Sequence, residues 1–360
     1  MGEGKAAELY RRRLEERGKK LEDFAAGRRP FLVVQRPDCK KVWTDCSTAE
    51  KIAGNNLEAF ERWAALDWTD ELPYLEPWAG VGVYAAAFGA EYYWRESESP
   101  ATHYRYHSLA EAKNAEYPAW EKNPVMRMVL DSIDLMNEKG GGALPIVLTD
   151  TQSPLDTATL IVDSVEFLTG CYEDPGTAKR LLGMVTDLII EFSREQLRHT
   201  GPGNAARPGH IMVSSTSWSG ISVSDDNLSF CSPDFNAEFA LPYNYKLAEA
   251  FGGVAIHSCG NWAHTMKILE PEKGVTGVDF ATSIEADPNP NSPAAAKEAV
   301  RGKRMIVKAR AGNNIEKIIP ALEELAAPDV QLVIQPGHDP KNAGDNYKRI
   351  TDKLNELYRL

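Results

Sequence analysis

Gly252 to Asn261 reads GGVAIHSCGN, a short β-prone run that ends in an imidazole and a thiol and then breaks at Gly260. Read as a strand, it delivers two soft ligands to its C-terminal tip. Successive strand residues point to opposite faces, so His257 and Cys259 share one side. A neutral imidazole beside a thiolate suits Zn²⁺, and a catalytic zinc takes three protein ligands and keeps a fourth position open. The pair by itself is a weak signal that fits better a small buried thiol beside a hydrogen-bonded core histidine, so the surrounding pattern has to decide.

Outward from this stretch, short apolar runs alternate with amphipathic ones. The strand-like runs are Phe31 to Gln35, Tyr74 to Glu76, Leu144 to Leu148, Ile211 to Ser214, Val254 to His257, Gly277 to Phe280, Met305 to Lys308 and Gln331 to Ile334. Helical spacing fills Thr177 to His199, Pro233 to Phe251 behind Ser232 as N-cap, Trp262 to Leu269, Asn314 to Leu325 and Pro340 to Tyr358. Strands separated by helices, with no dinucleotide-type glycine motif, predict an α/β fold, a single (β/α)8 barrel over residues 30–360. Residues 1–29 read as a charged N-terminal helical extension, with Arg11, Arg12 and Arg13 on a solvated face. The Tyr- and Trp-rich section from Ala79 to Asn123 reads as a long insertion that forms a lid over the barrel mouth.

A content of 43% hydrophobic and 26% charged residues is that of a soluble globular protein, and excludes disordered and fibrous classes. The formal charge of −12 opposes nucleic acid or an anionic membrane as the main partner. With no eighteen-residue apolar run and a polar N-terminus, the expected location is the cytoplasm. The cysteines at 39, 46, 171, 231 and 259 are odd in number and lack framework spacing, so they read as free thiols.

In such a barrel the chemistry sits at the C-terminal strand ends. His338, in the Gln335-Pro336-Gly337-His338 turn after the last run, is the best third metal ligand beside His257 and Cys259. Lys308 and Arg310 are placed to grip an anionic group, with Trp218 and Asn313 as further substrate contacts. Asp226 and Asp279 are placed to act in catalysis by orienting a ligand or a metal-bound histidine.

Three segments carry a family resemblance: DTATLIVDSVEFLTGCYED (Asp156 to Asp174), SDDNLSFCSPDFNAEFALPY (Ser224 to Tyr243) and GGVAIHSCGN itself. From about Leu144 onward the chain resembles the uroporphyrinogen decarboxylase superfamily, on its branch of cobamide-dependent methyltransferases. The resemblance implies a (β/α)8 barrel, and a zinc site made of His-x-Cys and a later Cys in a Gly-Cys turn. His257 and Cys259 match the first two positions; the third reads Gly337-His338, which implies a His, Cys, His set. The decarboxylase branch carries an arginine-rich segment after its first strand, whereas this chain has Gln35-Arg36-Pro37-Asp38-Cys39. The resemblance therefore implies a zinc-dependent transfer of a methyl group from a corrinoid (methylcobalamin) to a small acceptor, foremost a thiol. Tetrahydrofolate as acceptor, or lyase chemistry on another substrate, are the alternatives. The chain has no Asp-x-His-x-x-Gly corrinoid module, so a separate corrinoid protein is the implied partner, and a homodimer is compatible with the fold.

Overall fold

The computed structural model describes residues 4–360, so the first three positions of the N-terminal extension lie outside the described residues. Its strands are β1 (Phe31–Val33), β2 (Glu91–Tyr93), β3 (Ala101–His103), β4 (Ile221–Ser224), β5 (Val254–His257), β6 (Val275–Ala281), β7 (Ile306–Gly312) and β8 (Gln331–Pro336). Six of them form one sheet in the order β1-β8-β7-β6-β5-β4, and every pairing within it is parallel. The two edges of that sheet are joined by segments that bridge only residue by residue. Asp70 donates its N–H to the Val33 carbonyl at 2.9 Å, Leu75 bridges Ile146 in parallel, Ile146 bridges Ala205, and Gln152 bridges Ser224. The fold is the predicted α/β barrel type, with helices outside and the strand ends gathered at one mouth.

The expected runs at Tyr74 to Glu76 and Leu144 to Leu148 contribute single bridges in place of full strands. Prolines explain the shortness: Pro73 and Pro77 flank Leu75, and Pro145 precedes Ile146, each lacking a ladder N–H. The expected strand at Ile211 to Ser214 is a correction. Those residues form a loop in which Ile211 has φ 62°, a left-handed conformation that no strand contains and that a β-branched residue adopts at a cost. The strand in that place is Ile221–Ser224, paired with β5. Met212 and Val213 are nevertheless buried, so the loop spends its apolar run as a core plug.

The helix Pro175–Thr200 buries Leu181, Leu182, Val185, Leu188, Ile189 and Phe192 along one side, as its spacing requires. The expected single helix from Pro233 to Phe251 is two, Pro233–Phe239 and Leu241–Phe251. Pro242 sits in the first turn of the second, where its missing N–H is harmless; within a continuous helix it would break a hydrogen bond. The N-terminal extension is one helix, Gly4–Ala25, that packs Tyr10, Leu21 and Phe24 inward. Arg13, read as solvated, is buried and donates from Nε to the Ala64 carbonyl at 2.6 Å, while Arg17 donates to the Glu71 carbonyl at 2.8 Å. Among the described residues no helix is long and apolar enough to cross a membrane, and all five cysteines are free.

Candidate functional site

Parallel register sets the site. His257 at the end of β5 lies level with Ser224 of β4 and with Asp279 of β6, and Asp279 lies level with Lys308 of β7. Three adjacent strands thus present an imidazole, a carboxylate and an ammonium in one row. His257 Nδ1 meets Asp279 Oδ1 at 2.6 Å, Lys308 Nζ donates to Asp279 Oδ2 at 2.8 Å, and Arg310 Nε donates to Oδ1 at 3.1 Å. Burial opposes the charge on Asp279, but Lys308, Arg310 and His257 outweigh it and hold the carboxyl well below the usual carboxylate range. Burial also depresses Lys308, to about 8 against the pull of Asp279. An ionised Asp279 fixes the proton of His257 on Nδ1 and leaves the Nε2 lone pair facing the mouth.

That nitrogen lies 3.4 Å from Cys259 Sγ and 3.6 Å from Asp226 Oδ1. One donor atom from each of Asp226, His257 and Cys259 falls within 4.8 Å of the others. Ligand bonds of about 2.0 to 2.3 Å to a tetrahedral zinc hold donor atoms roughly 3.3 to 3.8 Å apart, so these three residues need little movement to close on a cation. Asp226 is pinned in place: its N–H donates to Asp156 Oδ2 at 2.6 Å, and its Oδ1 accepts the Cys259 N–H at 2.7 Å. Behind it, burial and the neighbouring Asp225 and Asp226 push the Asp156 carboxyl well above its ordinary value, and burial lifts Asp225 to about 6. The Cys259 thiol is pushed up to about 12, first by desolvation and then by Asp226, with Arg310 pulling the other way. Without a cation it is a thiol at neutral pH.

His338 does not join this group. It is exposed in the turn after β8, where the Gly337 N–H donates to the Gly312 carbonyl at 2.8 Å and ties the turn to β7. β8 stands three places from β5 in the sheet, about 14 Å at strand spacing, whereas β4, which leads into Asp226, is the immediate neighbour of β5. The donors that the structure brings together are Asp226, His257 and Cys259, and the expected third ligand, His338, is not among them. Of the two further substrate contacts expected, Trp218 is half-buried beside a turn and Asn313 is exposed with its N–H on Glu285.

Beside the row of strand tips lies a cavity of about 290 Å³ whose walls include Trp43, Phe60, Trp63 and Tyr74, with Lys308 and Arg310 on the side toward His257. None of its lining residues comes from 79–123. That section folds in part as the helix Val83–Ala87, with Tyr84 fully buried against Phe192, and as the β2–β3 hairpin. Arg36 lies over the rings of Trp63 and Tyr74 at 4.9 and 5.3 Å, with its guanidinium on Glu71 at 2.6 Å.

Sequence reasoning missed a second histidine. His210 Nδ1 meets Glu76 Oε1 at 2.5 Å and its Nε2 lies 3.5 Å from Asp150 Oδ1. Burial alone would depress this imidazole, but Asp150 and Glu76 outweigh it and carry its pKa up to about 9. His210 was hidden because the residues after it resemble a strand.

A model of the uroporphyrinogen decarboxylase (URO-D) family matches residues 78–203. The matched span includes the section from Ala79 to Asn123. Among solved structures, a methyltransferase from Methanosarcina mazei superposes with a TM-score of 0.60 at 19% identity, covering 90% of this chain and 92% of that one. CdNal from Clostridium difficile, solved with mannosamine, aligns over 65% of this chain and 62% of its own at 10% identity, with a TM-score of 0.30. No curated protein matches the sequence. The first structure supports the fold along nearly the full length of both chains.

Proposed function

We propose that this chain is a zinc-dependent methyltransferase that moves a methyl group from a corrinoid, carried by a separate protein, to a small acceptor, foremost a thiol. The observation that carries the reading is the convergence of Asp226, His257 and Cys259 at the barrel mouth, with the far nitrogen of His257 held by Asp279. The URO-D family match and the fold shared with a methyltransferase support it. Replacing the expected second imidazole by a carboxylate also changes the charge. Two anionic donors and one neutral donor formally balance the charge of Zn²⁺, the same count as a His, Cys, Cys set, although the carboxylate is the harder donor.

In this reading Asp226, His257 and Cys259 hold the zinc, which when bound lowers the pKa of an acceptor thiol so that the thiolate exists at neutral pH. The protein's own work is positioning. Asp279 keeps the His257 proton on Nδ1 and so keeps Nε2 available as a ligand. Lys308 and Arg310 hold Asp279 ionised and place positive charge at the cavity wall. Asp156 fixes the backbone that presents Asp226.

The test is an assay with free methylcobalamin and a panel of thiols and tetrahydrofolate, with and without chelator. Thiol methylation that is lost on chelation and in Cys259→Ser supports the reading. Methylation of tetrahydrofolate that survives chelation moves the chemistry to a metal-free pocket, and release of carbon dioxide from a porphyrinogen without methyl transfer overturns it.

A further inference from the structure

Cys259 sits where the sheet no longer holds the chain. The ladder between β5 and β6 ends at the level of His257 and Asp279, and the last bond across it, from the Ser258 N–H to the Asp279 carbonyl, is already 3.4 Å long. His257 is fixed by that ladder and by Asp279, and Asp226 by the bond of its N–H to Asp156. Cys259 is exposed on a turn and needs another support.

The turn from Ser258 to Trp262 finds that support in side chains. Three of its N–H groups donate to them: Cys259 to Asp226 Oδ1 at 2.7 Å, Gly260 to Asp287 Oδ2 at 2.8 Å and Trp262 to Asn291 Oδ1 at 3.0 Å. Asn291 also donates from Nδ2 to the Gly260 carbonyl at 2.9 Å. Gly260 is thus held on both sides, by Asp287 at its N–H and by Asn291 at its carbonyl, in the left-handed conformation (φ 72°) that bends the chain after Cys259. The Asn291 amide uses its oxygen on an N–H and its nitrogen on a C=O, so a flipped amide would oppose two like groups and only one orientation fits. Beyond Gly260 the turn ends in Trp262, which is fully buried.

The loop that carries the two side chains is itself closed. Asn291 donates its N–H to the carbonyl of Ala281, the last residue of β6, at 2.9 Å. Asp287 donates to the Ser283 carbonyl at 3.0 Å, and its Oδ1 accepts the Asn289 N–H at 2.8 Å. Both side chains are buried. With both oxygens of Asp287 and both ends of the Asn291 amide engaged, the loop ties the turn after β5 to the end of β6. Partners that orient a ligand without touching the metal are ordinarily worth a measurable share of its affinity.

We infer that Asp287 and Asn291 are positioning residues of the metal site: through Gly260 and Trp262 they hold Cys259 so that its Sγ faces His257 Nε2. The inference rests on the zinc reading for what that position serves; the hold on the turn itself requires no metal.

Two measurements test it together. One is cobalt(II) binding, by competition against a chromophoric chelator and by the thiolate-to-cobalt band. The other is amide-resolved hydrogen exchange of the metal-free protein at Cys259, whose N–H bonds to neither residue. Asp287→Ala and Asn291→Ala are each expected to weaken cobalt binding about 10- to 100-fold and to shift or weaken the band. Each is also expected to speed exchange of the Cys259 amide by about tenfold or more, as the turn opens locally. Asp174→Ala is the control. It removes a side chain that accepts the Thr177 N–H as the cap of the helix Pro175–Thr200, and is expected to lower stability while leaving all of these readouts unchanged, which separates positioning from general destabilisation. Should one of the two variants not fold, the other carries the test. Wild-type cobalt affinity and band in the variants that fold, or wild-type exchange at Cys259 in them, overturns the inference. The two readings fail separately: a wild type without a thiolate-to-cobalt band removes the zinc site and leaves exchange to decide the hold on Cys259, while a wild-type band that neither substitution alters removes the positioning role and leaves the zinc site standing.

Discussion

Two histidines stand at the mouth of this barrel, and they are built differently. His257 has one nitrogen on a carboxylate, Asp279 at 2.6 Å, and the other facing a thiol and a half-exposed carboxylate. His210 has a carboxylate at each nitrogen, Glu76 at 2.5 Å and Asp150 at 3.5 Å, and is buried. An imidazole fixed at one nitrogen has a lone pair to give, so it is built as a ligand. One fixed at both has given its binding capacity away and serves as a cation in the wall. The neighbours follow the same division: Cys259 is exposed beside the first histidine, while the ring of Trp43 packs edge-on against the second at 6.2 Å.

The contrast is tested most severely at Cys259. Cys259→Ser is expected to lower zinc affinity by more than about 100-fold, beyond the range seen when an outer partner is lost, while His210→Gln leaves zinc affinity unchanged. Competition titration against a chromophoric chelator reads both. Asp279→Asn comes next: the outer partner of His257 is worth about 10- to 100-fold in metal affinity. The same substitution leaves Lys308 buried without its counter-charge, so chemical unfolding should show a loss of about 3 kcal/mol or more.

For His210 the expected effect is on stability and its dependence on pH. Its pKa is raised on folding to about 9, so its contribution is fully present below the ordinary histidine pKa and is lost as pH rises through about 9. Thermal unfolding should lose on the order of 2 kcal/mol of stability from this group between neutral pH and pH ~10, and His210→Gln should flatten that part of the profile. The smallest effect belongs to His338→Ala. That side chain is exposed and outside the cluster, so both metal affinity and melting temperature should stay within error.

The contrast also separates what was legible in the sequence from what was not. VAIHSCG announces a strand tip with two ligands, and β5 is found at Val254–His257 as read. Lys308 and Asp279 followed from the same strand-end logic, because parallel register carries polar tips to one mouth. Asp226 was legible as a polar tip but not as a member of the cluster, since only the sheet order makes β4 the neighbour of β5 and sets β8 three places away. His210 was hidden by the apolar run Ile211-Met212-Val213, which has strand composition yet folds as a loop through a positive φ at Ile211. Short apolar runs carry no signal for which side of a turn they occupy, and tertiary packing decides.

The ligand set itself is tested most directly by cobalt(II) substitution. Cobalt bound by a thiolate gives a sulfur-to-metal charge-transfer band in the near ultraviolet. The account predicts that the wild type and His338→Ala show this band, that Cys259→Ser lacks it, and that Asp226→Asn shows it shifted or binds cobalt more weakly. A band that survives unchanged in Asp226→Asn and is altered in His338→Ala would contradict the assignment of Asp226 and restore His338 as the third ligand.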